Sequence, residues 1–156
     1  MKSDPGIVVR PMRAEDVDGV MALVGGLKQA PHWPRSVYAE IMTPSATPKR
    51  LALLAIDGAG RVAGFAVAVL APPEAELESI AVAQDRQRRG VAGQIFGGLK
   101  AKLAQEGVYG VHLEVRESNL AARGFYAALE FKETGRRPRY YAEPVEDAVL
   151  MRLVLG

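Results

Sequence analysis

The chain contains no cysteine. That excludes disulfides, thiolate metal sites and a cysteine nucleophile. Histidine is almost as scarce: His32 and His112 lie far apart and show no metal-ligand spacing, so no metal site is expected. Aromatic residues make up 6% of the chain, with one tryptophan, Trp33. No apolar run reaches the roughly eighteen residues of a membrane span. The first residues, "MKSDPGIVVRPM", hold no long apolar core, so no signal peptide is expected. Neither sign of charge dominates. Lys and Arg number 20 against 18 Asp and Glu, a net charge of +2, although the sequence pI is near 9.0. That excess does not argue for nucleic acid as a partner. These absences lead us to expect a soluble cytoplasmic protein, with no membrane or nucleic-acid partner.

What is present is ordinary globular composition: 156 residues, 49% hydrophobic and 24% charged. This suffices for one well-buried core and is short for two, so one domain over 1–156 is expected. "GIVVRPM" (6–12) reads as a strand stopped at Pro11. Residues 14–27 place Val17, Val20, Met21, Val24 and Leu27 on one helical stripe, with Glu15, Asp16 and Asp18 in the dipole-favoured first turn. A short helix is expected from Ser36, as its cap, to Met42. Strands follow at 51–57, 62–71 and 76–83, then a helix at 91–107 and a strand at 110–116. A helix capped by Asn119 covers 119–129, and two strands complete the chain. The order β-α-α-β-β-β-α-β-α-β-β predicts a mixed α/β domain.

Two stretches carry chemistry. The first is "RQRRGVAG" (86–93), between a strand and a helix. A helix start has unpaired N–H groups and a partial positive charge, which suits an anion. Gly90 permits positive φ and close backbone approach. A P-loop needs lysine where Leu99 stands, after Gly93 and Gly98. A dinucleotide fingerprint needs G-x-G-x-x-G, and Gly90 with Gly93 give G-x-x-G. The bland alternative is a basic helix cap with solvated arginines.

The second is "VHLEVRESNLAARGFYAALEF" (111–131). Val111, Leu113 and Val115 alternate with His112, Glu114 and Arg116. A polar face on an interior strand suggests a wet crevice, with Glu114 as its natural general base and His112 as a rival. Tyr126 lies two helical turns beyond Asn119 on the same face and can serve as an acid; its plain alternative is a half-buried core aromatic.

Gln87-x-x-Gly90-x-Ala92 after "SIAVA" resembles the acetyl-CoA pyrophosphate loop of the GNAT superfamily of N-acetyltransferases. "LEVR-SN-AA--FY--L-F", "RRPRYY" and "EDAVLM" are similar to its ribosomal-protein-alanine N-acetyltransferase branch. The resemblance covers nearly the whole chain. It implies one acyltransferase domain with a central mixed, mostly antiparallel sheet and about four helices. It also implies acetyl-CoA as cosubstrate, held by backbone amides of Arg88, Arg89, Gly90, Val91, Ala92 and Gly93. By the same resemblance, amides of Ile80, Ala81 and Val82 bind the pantetheine arm and polarise the thioester, and Asn119 binds the cofactor. Glu114 is then the base and Tyr126 the acid, while Trp33, Tyr140 and Tyr141 line the acceptor site. The chain departs from that branch at Glu130, where glycine is common, and in the loop "YYAEPVED".

The implied reaction is direct acetyl transfer to a primary amine. An α-amino group with pKa near 8 costs roughly 1–1.5 kcal/mol to deprotonate at pH 7, against about 4–5 for lysine. This modestly favours a protein N-terminus, such as that of a ribosomal protein, in a monomer or homodimer. The alternatives are a small-molecule amine (an antibiotic or polyamine), toward which Glu74, Glu76 and Glu78 offer some acid, and a non-catalytic acetyl-CoA-binding module.

Overall fold

The structure is a computed structural model and describes residues 5–27, 30 and 32–156. Its strands are β1 (Val8–Pro11), β2 (Arg50–Ile56), β3 (Val62–Ala71), β4 (Glu74–Val82), β5 (Gly110–Arg116), β6 (Lys132–Tyr141) and β7 (Glu146–Val154). The helices are α1 (Val17–Gly25), α2 (Arg35–Ile41), α3 (Val91–Gln105) and α4 (Leu120–Ala128). The strands form one sheet in the order β1-β2-β3-β4-β5-β7-β6. Every neighbouring pair is antiparallel except β4 and β5, which α3 joins by the crossover that parallel strands require.

Helices cover both faces of β3, which accounts for its continuous apolar run "VAGFAVAVLA". On one face α3 presents Val91, Ile95, Leu99 and Leu103 to Leu53, Ala66, Leu77, Val111 and Leu113. On the other, Val17, Val20, Val24, Tyr38 and Ile41 of α1 and α2 pack on Leu54, Phe65 and Val67. Each fully buried Leu, Ile or Phe contributes about 1.5–3 kcal/mol. Gly98 of α3 lets the helix lie close on β1: a Cβ there would come within 3.1 Å of the Val9 methyl.

The helix expected from residue 14 starts instead with a 3-10 turn over Ala14–Asp16, and α1 begins at Val17. The cause is local. The Asp16 carboxylate accepts two hydrogen bonds from Arg10 (2.8 and 2.9 Å) and one from the Arg13 N–H (2.7 Å), winding this turn tightly. Those bonds hold its carboxyl below the usual carboxylate range. Ser36 is not the cap of α2: Pro34 holds the cap position in extended conformation, and Ser36 lies exposed in the first turn. No helix among the described residues is long and apolar enough to cross a membrane.

Two irregularities interrupt the centre of the sheet, both in β4. The β4–β5 ladder is three pairs long, Glu74↔Gly110, Ala75↔Val111 and Glu76↔His112, after which the strands diverge. Opposite, the register against β3 steps from Ala68↔Leu77 to Val67↔Ser79, leaving Glu78 as an extra residue in a β-bulge. Leu77 therefore packs toward α3 while Ala81, an even number of residues on, packs toward α1 and α2.

Candidate active site

Beyond Glu76 no described β5 residue pairs with β4, so the strand edge from Leu77 to Val82 faces open space. The divergence opens a cleft of about 960 Å³. Glu78 to Val82 line one wall and Glu114, Asn119 and Tyr126 the other, with Tyr141 at the rim and Leu27 and Ala30 closing the α1–α2 side. Alternation along β5 places these side chains as expected. Val111, Leu113 and Val115 are buried, whereas Glu114 and Arg116 are half-buried on the opposite face.

Glu114 does not stand alone. The Arg137 guanidinium lies 3.5 Å from its carboxylate, and the Tyr140 hydroxyl donates to it, which pushes that phenol up from its ordinary pKa. Arg137 also sits 5.4 Å from the Tyr140 ring centre. All three groups meet where β6 passes the mouth of the cleft. Arg116 pairs with Glu146 at 3.1 Å and donates to the Ala142 and Pro144 carbonyls. It lies 4.5 Å from the centre of the Tyr141 ring, so it ties β5 to the β6–β7 turn.

Tyr126 projects from α4 between Phe125 and Phe131, with ring centres 5.4 and 5.6 Å away. Burial pushes its hydroxyl up to about 12, with the neighbouring Tyr141 adding to the effect. The hydroxyl therefore stays protonated through any ordinary working pH and is a donor. Asn119 caps α4, its Oδ1 accepting from the Ala122 N–H at 3.2 Å. Its side-chain amide N–H groups are donors besides.

The glycine-softened loop forms a second hollow of about 360 Å³, lined by Val82, Gln87, Arg88, Gly90, Val91, Ala92, Gly93 and Phe125. Gly90 takes φ +82°, the freedom for which a glycine was expected, and Arg88 is also left-handed at φ +65°. The first residues of α3, Val91 to Gly93, line this hollow, and the leading N–H groups of a helix lack partners within it, as an anion site requires. A phosphate with its adjoining chain fits these groups. Arg89 is exposed and does not line the hollow.

Trp33 packs on Tyr38, ring centres 5.8 Å apart, and against the core under α1 and α2; it is not among the cleft residues. Tyr140 is exposed and is not among the cleft residues either; it meets the cleft through its bond to Glu114. Glu130, the departure from glycine, adopts φ +74°, the conformation a glycine takes there. The Phe131 N–H reaches the Tyr126 carbonyl at 3.0 Å, so the helix end closes in the usual left-handed way.

Sequence reasoning missed three contributors. Ser79 lines the cleft only because of the bulge. Arg137 reaches Glu114 across strands. Asp57, buried in the β2–β3 turn, accepts from the Ala59 and Arg61 N–H groups (both 2.9 Å) and from Arg86 (2.7 Å), anchoring the segment before the loop. The turn "DGAGR" was a signal for Asp57 as a turn former, but not for Arg86 as its partner.

Residues 23–131 match the acetyltransferase (GNAT) family profile. Over 98 residues the chain is 41% identical to a ribosomal protein bS18-alanine N-acetyltransferase of Salmonella typhimurium, an alignment covering 62% of this chain and 66% of that one. The chain thus spans about two thirds of the length of that relative. The crystal structure of the ribosomal-protein-S18-alanine N-acetyltransferase from Escherichia coli aligns at TM-score 0.80 and 28% identity, covering 96% of this chain and 94% of that one. Ard1 from Thermoplasma volcanium shares the fold at TM-score 0.83 and 22% identity, with 97% and 99% covered.

Proposed function

Because this chain belongs to the acetyltransferase (GNAT) family, we propose that it transfers an acetyl group from acetyl-CoA directly to the N-terminal α-amino group of a protein, with a ribosomal protein as the favoured acceptor. The observation that carries this reading is the cleft where β4 and β5 part, with an unpaired strand edge on one wall and Glu114 and Tyr126 on the other. The names of the relatives, ribosomal-protein-alanine N-acetyltransferases, support the choice of acceptor.

Each group has a task. The cosubstrate supplies the acetyl thioester. Amides of Arg88 and of Gly90 to Gly93 hold the pyrophosphate at the start of α3, and the Ile80–Val82 edge takes the pantetheine arm and the thioester oxygen. Asn119 reaches the same arm with its amide N–H groups. Glu114 accepts the amine proton, directly or through a water, leaving a lone pair on nitrogen. Tyr126 donates its hydroxyl hydrogen to the sulfur. With that hydroxyl at about 12 and an ordinary thiol near 8.5, full proton handover is uphill by roughly 5 kcal/mol. Tyr126 therefore stabilises the developing thiolate chiefly through a charge-assisted hydrogen bond. Tyr140 and Tyr141 flank the acceptor at the mouth, and Trp33 supports the α1–α2 segment from beneath.

The test is mass spectrometry of Ala-initiated ribosomal peptides and a panel of amines incubated with the protein and acetyl-CoA. We expect acetylation of peptide α-amines, and roughly 10²-fold slower turnover in Glu114→Gln. Transfer only to polyamines or antibiotics would refute the acceptor, and transfer to no amine would refute the enzyme. The whole chain, 1–156, is taken as one catalytic domain working in the cytoplasm.

A further inference from the structure

The Ser79 hydroxyl is an anomaly. The residue is 6% exposed, it lines the cleft, and its Oγ has no hydrogen-bond partner among the described residues. A buried hydroxyl without a partner is unfavourable, and folded proteins ordinarily satisfy such groups. The chain reaches this state by a specific route. The bulge at Glu78 turns Ser79 away from the α3 core, where Leu77 packs, and onto the face it shares with Ala81. That is the face of Glu114, on the far wall, and of Leu27 and Ala30 in the α1–α2 segment. The covered Oγ belongs to a residue that lines the cleft, so a serine side-chain rotation can bring it to a ligand, and a ligand group is one explanation that such an unsatisfied atom calls for.

We propose that Ser79 is a specificity-determining residue for the acceptor, its hydroxyl donating to the carbonyl oxygen of the acceptor's first residue. The inference rests on the proposed transfer to a peptide α-amine. The assignment follows from what else lines the cleft. Of the two carboxylates lining the cleft, Glu78 is paired with Arg50 at 2.7 Å, so Glu114 on the wall opposite Ser79 takes the amine. A neutral hydroxyl on the opposite strand then meets the next polar group along the acceptor, which in a peptide is the first carbonyl. A simple amine has no such group and leaves Ser79 as unsatisfied as before. A site built to bond a particular substrate group discriminates against analogues that lack it.

Ser79→Ala separates this role from a structural one. It removes a hydroxyl that makes no bond among the described residues, so the melting temperature should stay level or rise. Losing one neutral hydrogen bond should lower kcat/KM for an Ala-initiated peptide roughly threefold to tenfold, mainly through KM. The KM for acetyl-CoA and the kcat/KM for a simple alkylamine should not change. Unchanged peptide kinetics in the variant would overturn the proposal, as would an equal loss on the alkylamine. A melting temperature lowered by several degrees would make the hydroxyl structural and overturn it as well. Wild-type protein that acetylates no peptide would remove the proposed function and this inference together. Wild-type transfer with an indifferent variant would remove the inference alone.

Discussion

Replacing Tyr126 with phenylalanine tests the burial of its hydroxyl and its role at once. The ring sits against Phe125 and Phe131, and burial raises the hydroxyl from 10 to about 12. A group whose folded pKa lies above its unfolded value contributes stability that is fully present below the unfolded pKa and lost as pH rises through the folded one. Here the loss starts near pH 10 and ends near pH 12. At about 1.36 kcal/mol per pH unit the whole difference is roughly 2.7 kcal/mol, of which about 1.4 is gone by pH 11. Tyr126→Phe lacks this contribution. Urea unfolding at pH 8 and pH 11 should therefore show the variant losing about 1.4 kcal/mol less than wild type, with the other tyrosines cancelling in the comparison. Its turnover at pH 7–8 should fall roughly 10²-fold or more if the hydroxyl serves the leaving sulfur. Equal alkaline losses would refute the burial argument. A wild-type turnover number would refute the hydroxyl's hydrogen bond to the leaving sulfur, whatever the stability data show.

Two other outcomes stem from the geometry. Asp57→Asn keeps the turn's N–H acceptor but withdraws the charge from Arg86, so the KM for acetyl-CoA should rise roughly threefold to tenfold with kcat little changed. A steady-state titration of acetyl-CoA checks it, and an unaltered KM would uncouple that turn from the loop. Glu130→Gly relieves a left-handed backbone costing about 1–2 kcal/mol, against about 0.5–1 lost to glycine's freedom in the unfolded chain. The net gain of roughly 0.5–1 kcal/mol should appear as a rise of about 1–4 °C in thermal unfolding, and a fall would refute the strain.

The element order was legible because each period was clean. "VAGFAVAVLA" reads as an interior strand, "VAGQIFGGLKAKL" carries a helical stripe, and "VHLEVR" alternates. Where side chains competed with the backbone, the reading slipped. Asp16 looked like a first-turn acid and instead serves Arg10 and Arg13, winding a 3-10 turn. The loop at 86–93 was legible through its glycine and its place between strand and helix. The bulge left one faint trace, the adjacent polar pair Glu78 and Ser79 after the alternating run 74–77. Arg137 and Asp57 were beyond reach, because their partners are fixed by strand register and turn placement rather than by spacing along the chain.

The three-pair seam between β4 and β5 acts as a hinge pin. The ion pair from Glu74 to Arg152 crosses it at Gly110, where a Cβ would collide with both side chains. Strands that part from a common pin open in proportion to distance from it, so small displacements at the pin grow toward the far end of the wedge. The spacing between the two walls therefore follows from the geometry of three residue pairs at one end of the wedge. A substitution at Gly110 or Glu74, touching none of the groups in the cleft, should alter its aperture at Ser79 and Glu114.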